Sequence, residues 1–264
     1  MGDVPYVKNS DILSLKVVCG LDYILLYFIG MIAMTLGTLA GGGGLITVPA
    51  MLLMGIPIHS VIGAGKISTT VSSFSTFLTV LLKKQITLKE SYWIIPVSLT
   101  GGFAGGFVAT RLTESTMYNV AVVLLIFAFL TSFFSKADFM GNENLRPTKV
   151  GVPGLFGIGL YDGMFGPGQG TLLLYLFGHL RIAYLRAIGF VRLATFSSGF
   201  GAAISYIAMG KIIWPVAFAL MAGSLSGAQI GVRIAEKLNP RHVKLILRIV
   251  TVALIIQLIV NQFI

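Results

Sequence analysis

The sequence predicts an all-α polytopic membrane protein made of two repeats, with about eight long transmembrane helices and two short, broken or re-entrant half-helices. Composition is the first reason, because 56% of the 264 residues are hydrophobic, 11% are charged and the mean hydropathy is +0.91. A soluble domain has about 25% charged residues. The second reason is an internal duplication, and the third is a glycine-rich break followed by a cation in each half.

The charge of the chain is predicted to orient it in a bilayer. The formal net charge is +10 and the isoelectric point is about 9.8. The 19 basic residues lie mostly in short loops between apolar stretches, which is typical of multi-pass proteins rather than of nucleic-acid-binding ones. We therefore expect the bilayer of the cytoplasmic membrane as the environment, and no nucleic-acid partner. The single cysteine, Cys19, excludes an internal disulfide and offers no metal cluster, and no cofactor is expected.

The long apolar runs divide the chain into four parts. Residues 1–22 mix acidic and basic side chains, so we predict an N-terminal leader without a cleavable signal peptide, either lying at the membrane surface or partly ordered. Repeat 1 is assigned to 23–135, a cytoplasmic linker to 136–149 and repeat 2 to 150–264. The runs that predict long helices are 22–40, 60–82, 92–110, 117–135, 150–165, 184–209, 212–232 and 243–264.

Two further apolar runs, 45–56 and 171–178, are too short to cross a bilayer, because a straight crossing needs about 20 residues. Each follows a glycine-rich break, at 41–44 in repeat 1 and at 166–170 in repeat 2. Such a break persists within a membrane only where protein or a polar cavity satisfies the freed N–H and C=O groups. The two short runs are therefore predicted to be half-helices.

The two halves are copies of each other at a spacing of 126 residues. Without any gap, this shift places Lys66 on Arg192. Chance matches between apolar sequences scatter along the chain, whereas these concentrate at glycines, hydroxyl residues and a cation. The matched pairs include Gly37/Gly163, Gly42/Gly168, Gly44/Gly170, Gly63/Gly189, Thr69/Thr195, Ser72/Ser198, Gly101/Gly227 and Gly105/Gly231.

Basic residues in the loops predict that the two repeats insert in opposite senses. Loop 83–91 holds three lysines and its copy 209–214 holds one, whereas loop 111–116 holds one arginine and its copy 233–244 holds four basic residues. Under the positive-inside rule, loops 83–91, 136–149 and 233–244 would face the cytoplasm. The alternative is a parallel duplication whose loop charges are accidental.

Glycines four residues apart occur in apolar helices of both halves, and this spacing lets two helix backbones touch. We expect these glycines to be structural and to bind nothing. They would pack either the two repeats together or two subunits, so a homodimer is one expectation. The pairs are Gly101/Gly105, Gly102/Gly106, Gly223/Gly227 and Gly227/Gly231.

Each half of the chain has one distinctive motif: 41–49 (GGGGLITVP) with GAGK at 63–66 in the first, and 161–171 (YDGMFGPGQGT) in the second. The former looks like the first motif of the sulfite exporter TauE/SafE family of membrane permeases, and the latter is similar to the second motif of that family. The second motif is the more specific signal, and the resemblance covers about residues 24–262. It implies transport of sulfite, sulfonates or related small organic anions across the cytoplasmic membrane.

The chain departs from the family pattern after its second cation. Asparagines are usual there, whereas this sequence has Thr195 and then Ser198-Gly199. The departure leaves the class of transport unchanged and leaves the particular anion open.

Lys66 and Arg192 are the leading candidates for substrate binding. A charge at the centre of a membrane costs at least about 2.5–3.5 kcal/mol, so it usually serves function or a buried partner. Two cations at equivalent positions could clamp an oxyanion, and arginine can engage two of its oxygens. The alternatives are that Lys66 snorkels to the interface, and that Arg192 pairs with Asp162 or is itself interfacial.

The beginnings of the two half-helices would offer uncapped N–H groups and a positive dipole end, both of which favour an anion. The alternative is that these glycines only allow tight helix crossing. The substrate-binding candidates at the breaks are Gly43, Gly44, Thr47, Gly168, Gln169, Gly170 and Thr171.

Hydroxyl residues one to two turns beyond the cations, Thr69, Ser72, Thr195 and Ser198, are candidates for lining the substrate path. In membrane helices such residues also bond back to their own helix, which is the alternative for all four. Asp162 is a carboxylate well inside an apolar run. It could carry a coupling proton, form a fixed ion pair with Arg192, or cap the helix break.

Enzyme activity is not expected. The sequence contains no His-Glu-x-x-His, no Gly-x-Ser-x-Gly and no Cys/His cluster, and GAGKI at 63–67 lacks the Ser/Thr of a phosphate loop. We predict a secondary transporter, and in particular an exporter, that moves small sulfur-containing oxyanions by alternating access. The alternatives are an anion channel with the cations as a selectivity ring, a carrier of another small organic anion, and an accessory protein that scaffolds a partner complex.

Overall fold

The computed structural model describes residues 20–41, 43–117, 119, 120, 123, 139, 141 and 145–237. Over these residues every regular element is a helix, which confirms the all-α prediction for the described part of the chain. Residues 1–19, most of the predicted helix at 117–135 and all of that at 243–264 lie outside the described residues.

The helices begin and end within a few residues of the apolar runs seen in the sequence. The described helices are α1 (Gly20–Ala40), α2 (Gly44–Leu53), α3 (Ile58–Leu82), α4 (Leu88–Ser91), α5 (Ile94–Ala109), α6 (Gly151–Met164), α7 (Gln169–His179), α8 (Tyr184–Ala208) and α9 (Trp214–Ala235). The run predicted at 92–110 is preceded by the single turn α4, because Thr87 and Glu90 form a capping box at its start.

The helix bounds repeat at the same spacing as the sequence. A shift of 126 residues places α3 on α8 residue for residue, and places the span from the start of α4 to the end of α5 on α9. The two copies differ in that α9 is continuous, whereas its counterpart is interrupted at Tyr92 and Trp93.

Among the described residues, three helices are long and apolar enough to cross a membrane, namely α1, α8 and α9. Helix α3 has 25 residues and is long enough, but its Ser and Thr content and Lys66 lower its hydropathy. Several of these hydroxyls donate to the carbonyl four residues earlier, as Ser72 does to Ser68 at 2.7 Å and Thr76 to Ser72 at 3.0 Å. Back-bonding of this kind lets a hydroxyl-rich helix lie in an apolar environment.

Repeat 1 and repeat 2 exchange partners, so that the first helix of each packs on the last described helix of the other. Helix α1 packs on α9, and α6 packs on α5. A Cβ added at Gly101 would lie 2.6 Å from the Phe156 oxygen, and one at Gly227 would overlap the carbonyl of Met31. The glycine pairs therefore pack the two repeats of one chain against each other, while the predicted homodimer stays a prediction.

These contacts also give the relative directions of the helices. Along α1 and α9, Gly223 lies against Tyr27 and Gly231 against Thr38, so the two helices are parallel. Residue numbers also rise together along the contacts of α5 with α6, of α5 with α8 and of α3 with α9, so each of these pairs is parallel.

Helices α3 and α8 are antiparallel. Gly63, near the start of α3, lies beside the carbonyl of Lys211 after α8, and Gly189, near the start of α8, lies beside Val80 at the end of α3. The set α1, α3 and α9 thus runs in one direction, and the set α5, α6 and α8 runs in the other.

Candidate functional site

The two glycine-rich breaks meet directly, and their contact forms one wall of the site. Gly170 lies so close to Gly41 that a Cβ added at Gly170 would lie 2.7 Å from the Cα of Gly41. A Cβ added at Gly44 would lie 3.0 Å from the Cα of Pro167. Gly41 has φ of +77° and Gly168 has φ of +84°, in the left-handed region that glycine adopts without strain. Side chains are therefore excluded here both by the backbone conformation and by the close approach.

Both half-helices begin at this contact without a side-chain cap. Helix α2 follows Gly43 and helix α7 follows Gly168, and neither N-terminus has a capping side-chain hydrogen bond. The N–H groups of a first turn have no partner within their own helix, and the helix dipole makes this end positive. The site thus has two positive helix ends, one from each repeat.

A cavity of about 60 Å³ lies between the repeats at these helix ends. Ten predicted site residues line it: Gly43, Gly44, Thr47, Lys66, Thr69, Asp162, Gln169, Gly170, Arg192 and Thr195. The described lining does not include the other four candidates, Ser72, Gly168, Thr171 and Ser198. Both repeat-equivalent pairs, the cations Lys66/Arg192 and the threonines Thr69/Thr195, therefore line the same cavity.

Lys66 is held by α3, two turns from its start, and is 4% exposed. Its Nζ lies 2.7 Å from Oδ1 of Asp162 on α6. The alternative that Lys66 snorkels to the interface is therefore wrong, because its charge is buried and has a carboxylate partner.

Asp162 joins the two repeats and is itself 4% exposed. Besides Lys66, it accepts a hydrogen bond from Ser198 Oγ at 2.5 Å. The hypothesis that Asp162 pairs with Arg192 is wrong, because Asp162 bonds to Lys66 and Ser198 while Arg192 contacts the carbonyl of Gly37 and the sulfur of Met34. A buried carboxylate needs such a charged partner and further hydrogen bonds. Its predicted role as a proton carrier stays a prediction.

Arg192 is also 4% exposed, and its interfacial alternative stays a prediction, because burial within the protein does not give depth in a membrane. Its guanidinium donates to the carbonyl oxygen of Gly37 and contacts the sulfur of Met34 at 3.9 Å, both on α1. Its Nε has no hydrogen-bond partner among the described residues. In the described part of the chain, Arg192 is thus a buried cation whose partners are a carbonyl and a thioether.

Gln169 and Thr195 add polar groups to the same side of the cavity. Thr195 Oγ1 donates to Gln169 Oε1 at 3.1 Å, and Gln169 Nε2 has no partner within the described residues. This hydrogen bond fixes the amide so that its NH₂ group is left as a donor.

The equivalent hydroxyls of repeat 1 are used differently. Thr69 Oγ1 donates to Gly65 at 2.8 Å, and Ser72 Oγ donates to Ser68 at 2.7 Å, both on their own helix. The back-bonding alternative therefore holds for these two residues, although Thr69 also lines the cavity.

Two main-chain carbonyls of the site were not predicted from the sequence. Gly37 accepts the hydrogen bond of Arg192, and Pro167 accepts one from the hydroxyl of Tyr161. The match of Gly37 with Gly163 in the duplication could have indicated the carbonyl of Gly37, because a glycine leaves its backbone open to a close neighbour. Over the described residues there is no group of three or more His, Cys, Asp and Glu side chains that could hold a metal ion.

The apolar helices and the buried polar cavity between two repeats are typical of a membrane transport protein. The family model described as sulfite exporter TauE/SafE matches residues 26–258. The chain therefore belongs to the TauE/SafE family, as its motifs predicted. It is a multi-pass membrane protein and a transporter, not an enzyme.

Individual relatives agree with this assignment. The chain is 31% identical over 245 residues to a probable membrane transporter protein, ORF9, of Sinorhizobium sp, covering 89% of this chain and 92% of the relative. It is 30% identical to a probable membrane transporter of Haemophilus influenzae, covering 81% and 86%. It is 25% identical to the probable membrane transporter YfcA of Escherichia coli K12, covering 90% and 89%. No solved structure matches the chain.

Proposed function

We propose that the protein is a secondary transporter that exports small sulfur-containing oxyanions, such as sulfite or organosulfonates, by alternating access. The family description names sulfite export, and the printed names of the relatives given above say only that they are probable membrane transporters. The substrate class therefore rests on the family description together with the chemistry of the cavity.

The observation that carries the proposal is that two positive helix ends and two buried cations line one cavity. A small oxyanion presents several acceptor oxygens and a negative charge, so it complements N–H donors and cations at once. About 10–15 Å³ holds one water, so a cavity of about 60 Å³ suits a ligand of a few non-hydrogen atoms.

Arg192 and Gln169 are the residues that would bind the anion most directly. Arg192 Nε and Gln169 Nε2 are buried donors without a partner among the described residues, and both side chains line the cavity. An unsatisfied buried donor costs about 1–3 kcal/mol. An oxyanion that accepts from both groups would remove that cost.

We further propose that the two repeats are inverted across the membrane. The support is that the long helices α1, α3 and α5 of repeat 1 run opposite to their copies α6, α8 and α9 in repeat 2. Lys83 after α3 contacts Glu236 after α9, in agreement with the prediction that both loops lie on the cytoplasmic side. In transporters with inverted repeats, one repeat can rock against the other around a fixed central site.

The test is uptake of sulfite into liposomes that contain the purified protein. We expect saturable sulfite flux in the wild type. In Arg192→Gln we expect the flux to fall by about 10–100-fold for each charge-assisted hydrogen bond to the anion that is removed. Lys66→Gln should also reduce flux, because it removes the partner of Asp162 from the cavity wall.

The matched control is Lys89→Gln, which removes an exposed lysine away from the cavity and should leave flux unchanged. Flux that does not saturate would favour a channel. Flux that survives in both Arg192→Gln and Lys66→Gln would contradict the proposed site.

A further inference from the structure

We infer that the hydroxyl of Tyr184 is a latch that holds the protein closed on the side where α3 ends and α8 begins, and that His59 opposes it on the other side. We call these the inner side and the outer side, and the loop charges predict that the inner side faces the cytoplasm. The inference rests on the proposed function in one respect, because a latch requires a protein that opens to each side in turn.

The long described helices form two sets that must separate if the protein is to open. In the first set, α9 packs on both α1 and α3, and in the second set, α5 packs on both α6 and α8. The main contact between long helices of the two sets is that of α3 with α8. A hydrogen bond from one set to the other therefore opposes opening on the side where it lies.

The cavity extends from the breaks toward the outer side. Four of its apolar lining residues belong to the buried cluster at the outer ends of α3 and α8. These are Val48, Val61, Ile62 and Phe165. Their repeat equivalents belong to the buried cluster at the inner ends, and the described lining does not include them. These are Leu174, Ala187, Ile188 and Leu39.

Tyr184 joins the two sets on the inner side. It is the first residue of α8 and is 4% exposed, and its hydroxyl donates to the carbonyl oxygen of Leu39 at 2.7 Å. Leu39 lies in the last turn of α1, where carbonyls have no partner within their own helix. Within a membrane such a carbonyl needs a donor. Separation of α8 from α1 on the inner side would therefore leave this carbonyl unsatisfied.

The equivalent bond is absent by chemistry on the outer side. The counterpart of Tyr184 at a shift of 126 residues is Ile58, whose side chain has no donor. Two carbonyls at and just after the end of α6 accept instead from the hydroxyls of Tyr206 and Tyr161. These two tyrosines lie on α8 and α6, in the same set as the carbonyls, so both bonds can persist when the sets separate.

His59 supplies a bond between the sets at the outer side. Its Nε2 lies 3.1 Å from the carbonyl oxygen of Leu112, and the two residues lie at the start of α3 and just after α5. The counterpart of His59 is Leu185, which has no polar side-chain group. Each side thus has its own bond between the sets, and the two donors come from adjacent positions of the duplicated sequence.

The experiment measures opening on each side through the reaction of single cysteines with iodoacetamide in the purified protein in detergent. Cys19, the single cysteine of the sequence, is first replaced in Cys19→Ser. Ala187→Cys then reports opening on the inner side, and Val61→Cys, at the equivalent position, reports opening on the outer side. Both native residues are 0% exposed, so the reaction requires the sets to separate.

Tyr184→Phe removes the hydroxyl and keeps the ring that packs edge-to-face on Phe139. We expect the reaction at Ala187→Cys to become about 2–12-fold faster, which is the shift in equilibrium for one neutral hydrogen bond. The reaction at Val61→Cys should not become faster.

His59→Leu should have the converse effect, with a faster reaction at Val61→Cys and no increase at Ala187→Cys. The matched control is Tyr206→Phe, which removes a buried hydroxyl that bonds within one set. Both rates should stay at the wild-type value in that variant.

An unchanged rate at Ala187→Cys in Tyr184→Phe would overturn the latch. Equal increases at both reporters would also overturn it, because they would indicate a general loosening of the protein. If Tyr184→Phe does not fold, His59→Leu decides, since a rate at Val61→Cys that does not rise contradicts the opposed pair. The rates need no transported anion, so a failure of sulfite flux together with selective inner opening in Tyr184→Phe would reject the proposed substrate and support the latch.

Discussion

Lys66 and Arg192 occupy equivalent positions of the two repeats and line the same cavity, yet their electrostatic environments differ. Lys66 forms an ion pair with Asp162 of the opposite repeat. Arg192 donates to the carbonyl of Gly37, also in the opposite repeat, and has no carboxylate partner among the described residues. One cation of the duplicated pair thus has a carboxylate partner, and the other has only neutral hydrogen-bond partners among the described residues.

The difference originates in a single pair of equivalent positions. The counterpart of Asp162 at a shift of 126 residues is Leu36, whose side chain cannot accept a hydrogen bond. Arginine suits the site without a carboxylate, because its five donors can be shared between main-chain carbonyl and ligand. Both repeats therefore hold a cation at the equivalent position, but only Lys66 has a carboxylate partner among the described residues.

Packing between the repeats, by contrast, is symmetric. The contact of α1 with α9 and the contact of α6 with α5 use equivalent glycines, such as Gly227 and Gly101. Backbone shape is repeated in both halves, whereas charge is not. The comparison teaches that the two repeats share backbone packing, whereas the partners of their buried cations differ.

The largest expected effect is on stability at the ion pair. Lys66→Gln leaves the buried carboxylate of Asp162 without its cation, so we expect a loss of about 3–5 kcal/mol of unfolding free energy. Arg192→Gln leaves a carbonyl without its donor and should cost about 1–3 kcal/mol. Thermal unfolding in detergent checks this order, with Lys66→Gln/Asp162→Asn expected to recover most of the loss. A Lys66→Gln protein as stable as Arg192→Gln would show that the two sites do not differ as described.

A smaller effect is expected at the interface of the repeats, and there it should be equal in both halves. Gly101→Ala and Gly227→Ala each place a Cβ against a facing backbone, so each should cost about 1–3 kcal/mol from overpacking. Gly157→Ala is the matched control, since nothing lies within 4 Å of the added Cβ. The same unfolding measurement compares the three. A large effect at Gly101 with none at Gly227 would contradict the symmetric packing.

The smallest effect distinguishes the two cavity threonines. Thr195→Val removes the hydrogen bond that orients Gln169, worth about 0.5–1.5 kcal/mol, so the KM for sulfite should rise about 2–12-fold. Thr69→Val removes a bond to its own helix and should change KM by less than about twofold. Equal changes in KM for both variants would indicate that the ligand uses the two repeats alike.

Much of the site was accessible from the sequence because a duplication marks it twice. Matches at Lys66/Arg192 and Thr69/Thr195 identified cavity-lining residues, and the glycine-rich breaks identified the starts of α2 and α7. An ion pair of Asp162 was one alternative, but the partner named for it, Arg192, is wrong: Asp162 is 30 residues from Arg192 along the chain and 96 from Lys66. Sequence distance favours the nearer cation, whereas helix packing across the repeats brings the farther one within 2.7 Å.

The sequence by itself determined the class of protein, the helices, the breaks and the family, since these depend on local hydropathy, glycine content and motif spacing. Tertiary structure alone decided which groups meet: Lys66 with Asp162, Arg192 with the carbonyl of Gly37, and the two breaks with each other. The physical reason is that a buried charge takes whichever partner the helix packing brings within hydrogen-bond reach, and that packing depends on contacts between distant parts of the chain.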